Sequence, residues 1–153
     1  MTATRMGLLS LALLAITAAP AARGAARAEE QAVLDVFQAF LTGLDHRDKS
    51  AMLSTLVPGG GATFMRGGKP MQLGFEALTD KLSQPGSESH EERIHDALVR
   101  VDGDIAVLWA PFEFYLNGKL DHCGTDIATL VKTDGHWLIS FIGDNHRTDC
   151  KER

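Results

Sequence analysis

Three side chains, Asp96, Trp109 and Asp126, fall where chemistry could happen if the strands that carry them pair as their turns suggest. Counting outward from the two-residue corners puts them side by side: two carboxylates flanking an indole. A carboxylate enclosed among apolar groups without a charge partner is costly to ionise, so its pKa rises toward neutrality. Such a group can give or take a proton near pH 7. Asp96 and Asp126 are therefore the candidate acid–base residues, with Trp109 as a ligand contact. The alternative is a structural network in which Asp126 accepts bonds from the indole and the backbone.

A second row, Glu113, His122 and Arg147, stands one step further out by the same count. Arg147 could receive an anionic group, and His122 could carry a proton. A rim salt bridge is the simpler alternative. Pro111 lies between the two rows and could mark a bulge, which would turn the second row to the other side. Tyr115, the only tyrosine, lies near the Asn117 turn. Phe40, Phe64, Met65 and Met71 could line a pocket between helices and sheet, or be plain core.

Other chemistries are disfavoured. His90 and His95 straddle a loop and a strand start, and the turn registers send His122 and His146 to opposite faces. No pair has ligand spacing with a carboxylate, so no metal and no cofactor is expected. Gly59-Gly60-Gly61 lacks a following Lys-Ser/Thr and is not a phosphate loop.

The elements that must position these residues follow from periodicity. Val33, Val36, Phe37, Phe40, Leu41 and Leu44 recur at helical spacing over Glu29 to Leu44. A short second helix starts at Asp48, a good N-cap, and ends before Pro58. A small hairpin over 62–73 turns at Gly67-Gly68. Phe75, Leu78 and Leu82 mark a third helix, stopped by Pro85-Gly86.

From Arg93 the period changes to two. Asp102-Gly103, Asn117-Gly118 and Asp134-Gly135 each separate strand-like runs, the signature of tight hairpins. Four antiparallel strands are predicted, at about 93–101, 104–116, 119–132 and 136–147. Taken literally, the turns put Leu98, Ile105, Val107, Trp109, Ala128, Leu130, Trp137, Ile139 and Phe141 on one face, toward the helices. The opposite face carries Val99, Leu108, Phe112, Ile127 and Ile142. It is also apolar, and a meander covered on one side should have a wet outer face. A second copy of the chain is the expected cover, making a homodimer.

The 153 residues carry a net charge of −5 and no basic block, which disfavours a nucleic-acid partner. Arg5, an apolar run from Gly7 to Ala19, and Ala26-Arg27-Ala28 have the layout of a cleavable signal. The run is short for a membrane span, which needs about 20 residues. The expected organisation is a leader over 1–28 and one domain over 29–153, periplasmic or secreted, with no membrane association once the leader is removed. An oxidising compartment makes a Cys123–Cys150 disulfide reasonable, worth about 3 kcal/mol in the chain-entropy model.

The element order, and the segments 101–107, 122–126 and 134–139 followed by Asp144-Asn145-His146-Arg147, resemble the nuclear transport factor 2-like superfamily, close to its SnoaL-like and lumazine-binding-like groups. The resemblance implies an α+β fold: a cone-shaped, curved antiparallel sheet of four long strands plus a small hairpin, packed on three N-terminal helices, as in cystatin-like folds. Members include isomerases, cyclases, dehydratases and pure binding modules, so the fold does not choose among them. Isomerase-like members pair a carboxylate base with a tyrosine and a protonated acid; Tyr115 does not match that site residue by residue. The expected function is binding of a small apolar or weakly anionic molecule in the cone. The alternatives are an isomerase, cyclase or dehydratase using a buried carboxylate, and a dimeric interaction module.

Overall fold

Asp48 accepts a hydrogen bond from the Ala51 amide and so starts α2 (Lys49–Ser54) where the N-cap pattern placed it. The computed structural model describes residues 19–150. The leader's apolar run lies almost wholly outside them. The first helix, α1 (Ala19–Asp45), begins ten residues before Glu29 and runs through the expected cleavage point without a break. Glu29 is therefore not a helix-end residue. Its carboxylate accepts from Lys132 Nζ at 2.7 Å and from Trp137 Nε1 at 2.9 Å, and that pairing, Lys132 first, lowers its pKa. A third helix, α3 (Phe75–Leu82), completes the helical layer.

The strands are β1 (Leu56–Arg66), β2 (Lys69–Gly74), β3 (His90–Ile94), β4 (Leu98–Asp102), β5 (Ile105–Leu116), β6 (Lys119–Thr133) and β7 (His136–Asn145). They form one large curved, unclosed sheet in the order β2-β1-β7-β6-β5-β3, with β4 also on β5. The fold is α+β, as expected. The sheet is mixed, because β1 runs parallel to β7. Gly59 to Gly61 lie inside β1 at a register shift rather than in a break. At Gly60 a Cβ would come within 2.4 Å of the Phe75 ring and 2.8 Å of the Ser140 carbonyl, so only glycine lets α3 and β7 close over this strand.

The first long strand is split. Pro111 on β5 has no N–H to give an edge partner, and opposite it the chain leaves the ladder between β3 and β4, with Asp96 at φ 45°. No register shift occurs at Pro111 itself, where Pro111 pairs Thr125.

Two of the three Asx-Gly corners are formed as expected, with both central residues at positive φ: Asn117-Gly118 and Asp134-Gly135. The third uses Gly103-Asp104, because Asp102 pairs with Ile105. That two-residue slip keeps every side chain on its face. Two bulges do not. Tyr115 pairs Leu120 but Phe114 pairs His122, leaving Asp121 as the extra residue of β6. Leu130 pairs Ile139 but Thr129 pairs Phe141, leaving Ser140 as the extra residue of β7. Each one-residue shift turns all later side chains over.

The face expected to meet the helices is consequently divided. Ala128, Leu130, Trp137 and Ile139 are buried beneath them. Leu98, Ile105, Val107 and Trp109 are exposed on the outer side. Leu108, Phe112, Val99 and Ile142, read as outer, are core. The two indoles lie on opposite sides of the sheet: Trp137 is 5% exposed and Trp109 53%. On the helical side, Val33, Phe37, Phe40 and Leu41 of α1, with Met52 and Leu78, close the core.

Candidate functional site

Between the helices and the inner face of the sheet lies a cavity of about 260 Å³, close to the lower end of small-molecule sites, which start at roughly 300 Å³. Phe37, Phe40, Leu41 and Leu44 of α1 form one wall, and Phe64 of β1, Phe114 of β5 and Ile142 of β7 face them. Polar side chains reach it from the curved strands: Glu92 and His90 of β3, His122 and Asp126 of β6, Asp144 of β7 and Arg66 of β1.

Asp126 faces inward because the Asp121 bulge pairs it with Ala110 rather than with Trp109. It is buried, and its Oδ2 has no hydrogen-bond partner among the described residues. Its carboxyl meets that of Glu92, a contact that requires a shared proton. Burial, then the Glu92 and Asp144 charges, raise Asp126 well above the ordinary carboxylate range. Glu92 is pushed up to about 7, chiefly by burial, with the Asp144 and Asp45 charges adding to it. The pair titrates as a unit.

The neighbouring carboxylate is treated differently. Asp144 is gripped by the Arg66 guanidinium in a two-pronged ion pair, with Nη2 to Oδ2 at 2.7 Å. Arg66 also lies 5.2 Å from the Phe64 ring centre. The site thus holds one neutralised carboxylate and, beside it, a carboxyl pair that keeps a proton. That pair can donate a hydrogen bond to a ligand oxygen or take a proton from a weakly acidic group.

His122 is stacked between Phe114 at 4.7 Å and His146 at 4.2 Å, with its Nδ1 2.8 Å from the Asp121 carboxylate. The expectation that His122 and His146 point to opposite faces is overturned: Asp144 and His146 follow the Ser140 bulge and turn inward with His122. Burial, then the charges of His122 and Arg66, hold the His146 pKa down.

The remaining sequence candidates are scattered. Asp96 sits exposed at the β3–β4 break, outside the cavity. Trp109 is on the outer face. Glu113 pairs with Cys123, not His122, so the Glu113–His122–Arg147 row does not form. Glu113 is nonetheless buried, accepting from the Tyr115 hydroxyl at 2.8 Å with His95 Nε2 3.3 Å away. That cluster borders a separate hollow near the Cys123–Cys150 disulfide, which is formed. Arg147 lies there too, exchanging backbone hydrogen bonds with Cys123 at 3.0 and 2.8 Å. Phe40, Phe64, Met71, His122 and Asp126 are the candidates that reach the cone. Among the described residues no cluster of three or more His, Cys, Asp or Glu could hold a metal ion, and no helix is long and apolar enough to cross a membrane.

Sequence reasoning missed Glu92, Asp144 and Arg66. Glu92 sits in a charged run between the third helix and the first predicted long strand, where no periodicity marks a face. Asp144 stood in the closing segment but carried no signal of its face, which the Ser140 bulge decides.

A curved sheet wrapped on three helices is the fold of the nuclear transport factor 2-like class. Solved structures agree on the fold. An NTF2-like protein of unknown function from Pseudomonas putida KT2440 superposes with a TM-score of 0.68 at 11% identity, covering 82% of this chain and 98% of that one. An NTF2-like protein with a cystatin-like fold from Novosphingobium aromaticivorans gives 0.67 at 14%, covering 88% and 93%. A "Putative Scytalone Dehydratase" from the same organism gives 0.67 at 14%, covering 83% and 91%. No curated protein matches the chain. The profile of the family described as "Putative lumazine-binding" matches residues 28–140, and the chain belongs to that family.

Proposed function

We propose that this is an exported small-molecule-binding protein whose ligand occupies the cone and rests an oxygen on the Glu92–Asp126 carboxyl pair. The observation that carries this is the buried contact between the Glu92 and Asp126 carboxyls in the wall of a mainly apolar cavity, with Asp126 Oδ2 lacking a hydrogen-bond partner among the described residues. A buried polar atom in that state is costly until something bonds to it. The family description, "Putative lumazine-binding", supports a small-molecule ligand. Native mass spectrometry of protein from its host, with thermal-shift screening of carbonyl and phenolic compounds, tests it. Retained ligand, or stabilisation weakened by Asp126→Asn, is expected; an empty cavity with no shift across the library rejects it.

A second reading, an isomerase-, cyclase- or dehydratase-type enzyme, is favoured by one observation: Glu92 stands at about 7, suited to proton transfer. Asp126→Asn separates the two readings, since it should abolish turnover of any substrate while sparing much of the binding.

Two further parts of the proposal concern context. The disulfide accords with an oxidising compartment, and the leader over 1–28 with export to it; N-terminal sequencing of the secreted protein should begin near Glu29. The row of Leu98, Ile105, Val107, Trp109 and Ile127, all exposed on one face, supports a homodimer through the outer sheet.

A further inference from the structure

The polar groups around the cone are not evenly distributed. The carboxyls gather on β3, β6 and β7, whereas the end of α3 brings the cation Lys81 to the cavity. Lys49 takes both carboxylates of α3, Glu76 at 3.2 Å and Asp80 at 2.7 Å. Lys81, which follows Asp80 and lines the cavity, has no ion pair among the described residues. Arg47, in the turn between α1 and α2, donates to the Gln84 carbonyl at 2.9 Å and the Glu88 carbonyl at 3.1 Å, and no carboxylate pairs with it among the described residues.

Arg47 also fixes the tautomer of His90. Its Nη2 lies 2.9 Å from His90 Nε2, and a guanidinium can only donate, so Nε2 must be the acceptor and the ring proton sits on Nδ1. That Nδ1–H is buried, on a residue lining the cavity, and has no acceptor among the described residues. The opposing charges are accounted for. Asp144 is held by Arg66, and the carboxyl of Glu92, next to His90 on the same face of β3, contacts that of Asp126. Glu88 is the one acidic side chain whose charge acts on His90 from this side.

We propose that the ligand is an acid: an apolar molecule bearing a carboxylate or similarly charged oxygen, which Lys81 and the His90 Nδ1–H receive at the α3–β3 edge while its apolar body fills the cone. This rests on the cavity being the binding site and adds the ligand's charge and orientation.

The test uses two probes of one shape, 2-naphthoate and neutral 2-naphthamide, titrated calorimetrically at low salt. The wild-type protein should prefer naphthoate by about fivefold, the size of one partly exposed charge contact. The preference should shrink as salt rises, vanish in Lys81→Met and survive in Lys81→Arg. Met71→Trp, at a half-exposed position lining the cavity, should weaken both probes. Equal affinities in wild type, or a preference unchanged in Lys81→Met, would overturn the acid assignment and leave the cavity reading standing. Failure of both probes to bind, or indifference of both to Met71→Trp, would reject the cavity reading and this inference with it.

Discussion

Val107 and Leu108 are neighbours on β5, similar in size and chemistry, yet Val107 is 52% exposed and Leu108 is 2% exposed. The same contrast runs the length of the sheet. The inner face is apolar, closed by three helices, and interrupted by acidic groups at the cone. The outer face is apolar, open, and interrupted by Arg100, Thr129 and Ser140. Composition does not distinguish them. What differs is the presence of a cover, and with it the local dielectric. A carboxylate under the helices holds its proton; a hydrophobe on the other side waits for a partner surface.

The largest effect should come from placing a charge on each side of that line. Leu108→Glu puts an unpaired carboxylate in the core and should cost about 3–5 kcal/mol, enough to abolish folding by circular dichroism. Val107→Glu should fold normally. If both fold, the assignment of faces is wrong.

Next in size is the link between the outer face and the closing segment. Cys150→Ser should lower stability by about 2–4 kcal/mol in denaturant titration, while leaving the cavity residues in place. A loss below ~0.5 kcal/mol would mean that the backbone bonds between Cys123 and Arg147 hold the segment by themselves.

Trp109→Glu should convert the proposed dimer to monomer in sedimentation at micromolar concentration without a change in fold. Equal sedimentation of variant and wild type would remove the outer face as the interface.

The smallest effect is electrostatic and belongs to the inner face alone. Glu92 and Asp126 have folded pKa values raised above their unfolded ones, so the folded state binds more protons. Stability is greatest below the unfolded values, near 4, and falls as pH rises through about 7. Wild-type Tm should therefore drop between pH 5 and 8, and Asp126→Asn should flatten that slope. A wild-type Tm that stays flat or rises across this range would show that folding does not raise the pair's pKa values.

The resemblance made the superfamily legible before any coordinates, because it rests on element order and short local segments. The carboxylate row was not legible. Asp126 was correctly placed inside, since β6 keeps one alternation from His122 to Lys132. Trp109 was wrongly joined to it because the count crossed the Asp121 bulge, and Asp96 because the chain leaves the ladder between β3 and β4. Glu92 was invisible among the charges of 88–93.

The sequence by itself determined what is settled within a few residues: the Asp48 cap, the apolar stripe of α1, the corners at Asn117-Gly118 and Asp134-Gly135, and the stretches able to be strands. Those depend on backbone preferences and short-range hydrogen bonds that the local residues carry. Tertiary structure alone decided which side of the sheet each later residue faces. A bulge forms where curvature against the helices favours one extra residue, and Asp121 and Ser140 have no side-chain type that announces it. A single such residue reverses a strand, and that is why one tryptophan of the pair is covered and the other is not.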